Sequence, residues 1–208
     1  MSAPLFHLAL LAAPLLWFTA GLWRLWSRLN DPELAATWGA GDDWSTYRQT
    51  TERILEGHLL GGDAPLSVST LTYPYALAGL ALVFGREPAN LYLGLHVLVG
   101  AACAVLAWLA YRLWGARAGW WTLGGAIAYT VLDLRVYTVV LLPENLALLV
   151  VALMFVALHR FFERPTVGTA LLAGALLGVA VLTRFALLPF AGLVLAWVVG
   201  RRTRRWSR

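Results

Sequence analysis

Apolar and polar positions fall into long blocks along this chain, with little short-period alternation. The apolar blocks are Leu5–Leu25, Tyr75–Phe84, Leu91–Leu113, Trp120–Val136, Glu144–Phe161, Val167–Leu182 and Phe185–Val199. Runs such as Leu91–Leu113 carry almost no charge and approach the ~20 residues that a helix needs to cross a ~30 Å hydrocarbon core. The second block is the odd one. From Pro74 to Phe84 a helix would rise only about 16 Å, at ~1.5 Å per residue, roughly half the apolar thickness. Pro74 suits a first helical turn and Gly85 suits a helix end, so the block reads as a juxtamembrane or re-entrant helix.

Six spans then remain, with both termini on one side. Arg112, Arg117, Arg160, Arg164 and the C-terminal arginines all face the cytoplasm, as the positive-inside rule requires. Every acidic residue except Glu163 faces outward. Arg24 and Arg28, at the outer end of the first helix, run against the rule. A rival topology makes Tyr75–Phe84 a true span with the N-terminus outside. It would put the acidic first loop and Glu144 on opposite faces and would need large bilayer thinning. The expected fold is therefore an all-α polytopic membrane bundle, one module over residues 1–208. Residues 27–88 form a long outer loop carrying short interfacial helices, and 201–208 form a basic cytoplasmic tail.

Composition agrees with lipid as the main solvent. The 208 residues are 60% hydrophobic and 13% charged, against roughly half and a quarter in soluble domains, and the mean hydropathy is +0.70. The net charge of +5 comes from arginine alone, since no lysine is present. Its densest cluster, Arg201–Arg205, directly follows an apolar run, which reads as a cytoplasmic stop and argues against nucleic acid as a partner. Cys103, the single cysteine, lies inside an apolar run, so neither an internal disulfide nor a thiolate metal site is expected. Leu5–Leu25 lacks a basic n-region and a small-x-small cleavage site and is expected to be a retained helix.

Candidate chemistry concentrates in the loop Ser27–Pro74. Gly41-Asp42-Asp43-Trp44 precedes a stretch, Ser45–Glu56, that reads as a short helix with Ser45 as N-cap. Tyr47, Thr50, Thr51, Ile54 and Leu55 recur at helical spacing, as in a helix lying along the interface. Two adjacent carboxylates before such a helix can supply a general base if one is partly desolvated; spacing alone favours a solvated turn with capping value. Glu144 follows Pro143 at a helix start, where a carboxylate complements the dipole. A carboxylate at that depth is a functional candidate by default. Arg184 sits between two apolar spans, placed to grip a phosphate bidentately or to snorkel. Asp133 and Arg135 are expected to pair near a span end, His96 reads as a helix-contact residue, and Gly168, Gly174 and Gly178 are expected to let helices pack closely. No two histidines have metal-ligand spacing, and nucleotide-binding and Gly-x-Ser-x-Gly patterns are absent.

Taken in order, these features resemble the membrane-embedded GT-C glycosyltransferases, in the protein O-mannosyltransferase and aminoarabinose-transferase branch. The ordered series carries the resemblance. Asp43 in the first outer loop is followed by Tyr47 and Gly57. Tyr73-Pro74-Tyr75 opens a short helix ending in Phe84-Gly85, and Pro143-Glu144 follows. Gly174, Gly178, Leu182, Thr183 and Arg184 form the last element. The resemblance implies inverting transfer of a sugar from a polyprenyl-phosphate carrier to a protein, lipid or glycan acceptor on the outer face of the plasma (inner) membrane. It casts Asp43, or Asp42 one residue out of register, as the general base. Glu144 falls at the active-site rim and Arg184 near the carrier phosphate. Tyr47 and Tyr73 join them as binding residues, and a divalent cation is compatible with this chemistry. Relatives carry a lysine before the proline of the short helix, where this chain has Thr72 and Tyr73; the missing phosphate contact falls to Arg53 or Arg184. Relatives also continue with further spans beyond the position of Arg208, so a truncated, split or minimal enzyme is expected. Two other functions stay open: a non-catalytic membrane subunit that binds a lipid carrier or a partner membrane protein, and a transporter. The latter is disfavoured by the few charges within spans.

Overall fold

The computed structural model describes residues 3–29, 42–59, 72–132 and 143–206, and every regular element among them is helical. In chain order these are α1 (Ala3–Leu29), α2 (Asp42–Leu55), α3 (Tyr73–Phe84), α4 (Pro88–Trp114), α5 (Ala116–Leu132), α6 (Pro143–Glu163) and α7 (Val167–Thr183). A 3-10 turn at Phe185–Leu187 leads into α8 (Leu188–Trp206). Among the described residues, three segments are long and apolar enough to cross a bilayer: Pro4–Trp23 within α1, Pro88–Trp114 and Pro143–Glu163. They mark the chain as a membrane protein. Val167–Thr183 and Phe185–Gly200 are apolar but shorter.

Local chemistry sets the helix ends. Pro74 lies in the first turn of α3, and Gly85, at φ 97°, ends it with its amide donating to the Ala81 carbonyl. Only glycine adopts that backbone readily. Pro88 opens α4, and Gly115, at φ 89°, closes it with its amide on the Tyr111 carbonyl. At the start of α7, Thr166 and Thr169 form a reciprocal capping box.

Helix α4 is the hub, with α1, α5 and α6 packed around it and α7 packed antiparallel on α6. Apolar side chains gather in three places. Phe6, Trp17, Val99, Cys103 and Leu123 join α1, α4 and α5. Tyr47, Tyr73, Leu77 and Leu95 join α2 and α3 to α4. Met154, Leu158, Leu177 and Val194 join α6, α7 and α8. Lipid offers apolar helices no reason to associate beyond close contact, so small residues decide where they meet. A Cβ on Gly100 would come within 2.8 Å of the Pro14 Cα, and one on Gly21 within 2.9 Å of the His96 ring. His96 is buried there as a helix-contact residue. Trp23, Trp26, Trp114 and Trp121 are exposed toward helix ends, as interfacial anchors would be.

Several expectations need correction. The glycines that permit close approach are Gly21, Gly100 and Gly119; a Cβ on Gly174 or Gly178 meets nothing within 4 Å, and one on Gly168 meets only Thr166. Small residues do set close packing, but only where another helix faces them. Helix α2 begins at Asp42, so Ser45 lies inside it and is not its cap. Asp42 and Asp43 are its first two residues. The stripe Tyr47, Thr50 and Thr51 is buried, and it packs on α3 and not along a lipid interface. Helix α8 runs on to Trp206, so most of the basic tail is helical. The anticipated Asp133–Arg135 pair lies outside the described residues.

Candidate functional site

Three segments distant in sequence meet where α3 begins, α6 begins and α7 ends. The meeting is fixed by Thr72. Its amide donates to the Leu182 carbonyl at 3.4 Å, and its hydroxyl lies 2.6 Å from the hydroxyl of Thr183. Thr183 already donates its one proton to the Val179 carbonyl at 2.7 Å, so Thr72 is the donor and Thr183 the acceptor. Thr183 is fully buried. The start of α3 is thereby clasped to the last turn of α7.

Past Thr183 the chain leaves the helix. Arg184 is extended, at φ −147° and ψ 105°, with its amide still on the Ala180 carbonyl. This turn-out delivers the guanidinium to α6, where Nη2 lies 2.8 Å from Glu144 Oε1. Glu144 is in the first turn of α6, directly after Pro143. The pair is open, with the side chains 42% and 33% exposed. Ion pairs this exposed contribute no more than about 1 kcal/mol to stability, so its value is positional: it holds a cation and an anion ready at a helix start. The second carboxylate oxygen, Oε2, is buried and without a hydrogen-bond partner.

Tyr73 follows Thr72 and is fully buried. Its hydroxyl has no hydrogen-bond partner. Burial, then the neighbouring Tyr47 and the charge of Glu144, push its phenol well above the usual tyrosine range, so it remains a protonated donor. The Tyr47 ring stands edge-on to it, with centroids 5.1 Å apart and planes at 85°. Thr51, one turn beyond Tyr47, donates to the Tyr47 carbonyl at 2.7 Å and reaches the Pro74 carbonyl at 3.3 Å. Tyr75 donates to the Leu59 carbonyl, tying the chain after α2 to α3.

The structure therefore brings together Glu144, Arg184, Tyr73 and Tyr47. It places Asp42 and Asp43 in the first turn of the helix that carries Tyr47; their side chains lie outside what is described. Asp43 precedes the buried Tyr47 by four residues. Arg53 is in the last turn of α2, on a different face from Tyr47 and Thr51. Sequence reasoning missed the clasp. Thr72 drew notice only as the occupant of a position where lysine was expected, and nothing in the sequence links it to Thr183. Among the described residues no cluster of three His, Cys, Asp or Glu side chains could hold a metal ion. An open apolar groove of about 460 Å³ lies apart from this site, between α6, α7 and α8, lined by Leu158, Gly174, Leu177 and Val198 among others. No protein-family model matches the chain, and no curated protein or solved structure is significantly similar to it.

Proposed function

We propose that the chain is a glycosyltransferase, or the catalytic module of one, that moves a sugar from a polyprenyl-phosphate carrier to an acceptor hydroxyl at the outer face of the membrane. The observation that carries this reading is the Glu144–Arg184 pair, 2.8 Å apart and half open, at a junction to which α3 is clasped. In the reaction Asp43 accepts the proton of the acceptor hydroxyl. The acceptor oxygen attacks the anomeric carbon, and the bond from that carbon to the carrier phosphate breaks. The phosphate leaves with the bonding electrons and is stabilised by Arg184, while Glu144 orients the guanidinium. The membrane arrangement proposed with it has six spans: α1, α4, α5, α6, α7 and α8. Helices α2 and α3 lie outside with the site.

Asp43→Asn tests the base. Loss of a general base slows transfer by about 10²- to 10⁴-fold, with insertion and expression unchanged. Asp42→Asn tests the alternative one residue out of register, and the variant that loses transfer identifies the base. Retained activity in both variants would remove the general-base role.

A second reading, a non-catalytic subunit that binds a lipid or a membrane partner, is favoured by the open face at Gly174 and Gly178 and the groove beside it. It predicts a phenotype insensitive to Asp43 and Glu144 but sensitive to bulky residues at those glycines.

A further inference from the structure

Helices α2 and α3 and the start of α4 enclose an open notch of about 290 Å³, which the Glu144–Arg184 pair does not line. Its floor is apolar: Leu77 and Leu91 are buried there and Leu55 partly so. Its rim carries Arg48, Glu52 and Arg86, an excess of one positive charge. Arg48 engages Glu52 through Nε alone, at 2.8 Å, which leaves its two terminal nitrogens as donors. Arg86 follows Gly85, whose φ of 97° turns the chain out of α3. It makes no ion pair or side-chain hydrogen bond among the described residues. Glu87, the next residue, does not border the notch.

The end of α3 also reports its depth. Leu82 and Val83, in its last turn, are 78% and 76% exposed. In a membrane protein such side chains lie against acyl chains, so Arg86, just beyond them, sits where hydrocarbon gives way to headgroups. Two guanidinium groups beside an apolar floor at that depth suit a phosphodiester attached to acyl chains. Their planar forks hold the phosphate oxygens, and the glycerol end covers the leucines. One excess positive charge selects a headgroup with a single negative charge and no ammonium. The notch is near the lower end of the ~300–1,000 Å³ of ligand pockets, so it admits a headgroup and not a whole lipid. We propose that Arg48 and Arg86 bind the phosphate of an anionic phospholipid of the phosphatidylglycerol class, so that a bilayer lipid fastens α2 to the α3–α4 turn. This site is separate from the glycosyltransferase reading and stands without it.

Hydrogen exchange in nanodiscs tests it. Rising fractions of phosphatidylglycerol in phosphatidylcholine should slow exchange at residues 48–55 and 85–87 of wild type. Arg48→Gln and Arg86→Gln should each raise the fraction needed by about fivefold, the usual contribution of one basic residue at an anionic surface. Both side chains are exposed, so these variants should melt with wild type in pure phosphatidylcholine. Arg184→Gln should leave the response unchanged, and its loss there would move the lipid to that arginine and overturn the site. No slowing in wild type overturns it, as does slowing that persists in the double variant Arg48→Gln with Arg86→Gln. Equal slowing by phosphatidylethanolamine overturns the selection by charge. Equal slowing by soluble glycerol phosphate in pure phosphatidylcholine discs overturns the lipid in favour of a free anion.

Discussion

Thr72 and Thr183 stand 111 residues apart in sequence and 2.6 Å apart in space. Their bond joins the start of α3 to the α6–α7 hairpin, and it adjoins both Tyr73 and Arg184. Thr183→Val removes the acceptor while keeping shape and leaves the Thr72 hydroxyl unpaired. A net hydrogen bond of this kind contributes about 0.5–1.5 kcal/mol. A double-mutant cycle with Thr72→Val should return a coupling in that range, and hydrogen exchange at the start of α3 should quicken in both single variants. Additive effects would mean that the two hydroxyls do not act together.

Removing the cation should separate binding from folding. The Glu144–Arg184 pair is too exposed to contribute more than about 1 kcal/mol to stability. Arg184→Gln should therefore shift the thermal midpoint little, while affinity for a polyprenyl phosphate falls at least tenfold. Arg184→Lys should recover only part of it, because an ammonium cannot hold phosphate and carboxylate in one planar fork. Equal binding by wild type and Arg184→Gln would remove this arginine from the site.

Two glycines in helices should respond oppositely to the same change. At Gly100 a new methyl would meet the α1 backbone at 2.8 Å, and overpacking of this kind costs about 1–3 kcal/mol. At Gly178 nothing lies within 4 Å, and Gly→Ala within a helix gains about 0.5–1 kcal/mol. Denaturation in mild detergent should rank Gly178→Ala above wild type and Gly100→Ala below it. The reverse order would contradict the assigned contacts of α1 with α4.

Alkaline pH should weaken the fold through Tyr73. Its native phenol is held well above the ordinary value, chiefly by burial, while in the unfolded chain it ionises near pH 10, about the usual tyrosine value. The associated stability is fully present below the unfolded value and is lost as pH rises past it, because the unfolded state then releases the proton first. Melting temperatures of wild type should fall more steeply above about pH 10 than those of Tyr73→Phe. Parallel slopes would place the phenol in a more polar setting.

Much of the helical plan is legible in the sequence, for physical reasons that are local. An uncharged run such as Leu91–Leu113 is committed by composition, and α3 is bracketed by Pro74 and Gly85 whatever surrounds it. Glu144 declares itself because a carboxylate just after Pro143, at the head of an apolar run, marks a helix start and a charge held close to lipid. What the sequence hides is set by partners far away along the chain. The stripe on α2 looks the same whether it meets lipid or α3, and only the seat of Thr51 near the Pro74 carbonyl decides. Gly100 and Gly178 are indistinguishable until the facing helix is known. Tyr73 looks like an interfacial aromatic, and its burial depends on Tyr47 and on the clasp below it.

The separation of the two threonines also orders events during synthesis. Helices α2 and α3 leave the ribosome well before α7 exists, so their anchor is missing while the 111 residues up to and including Thr183 are made. At ~5–20 residues per second that interval is on the order of ten seconds. Helix α2 with Tyr47 and α3 with Tyr73 must wait beside the nascent bundle without their final contacts, and the junction closes only when Thr183 arrives. A chaperone or insertase that shields this segment would act within that interval.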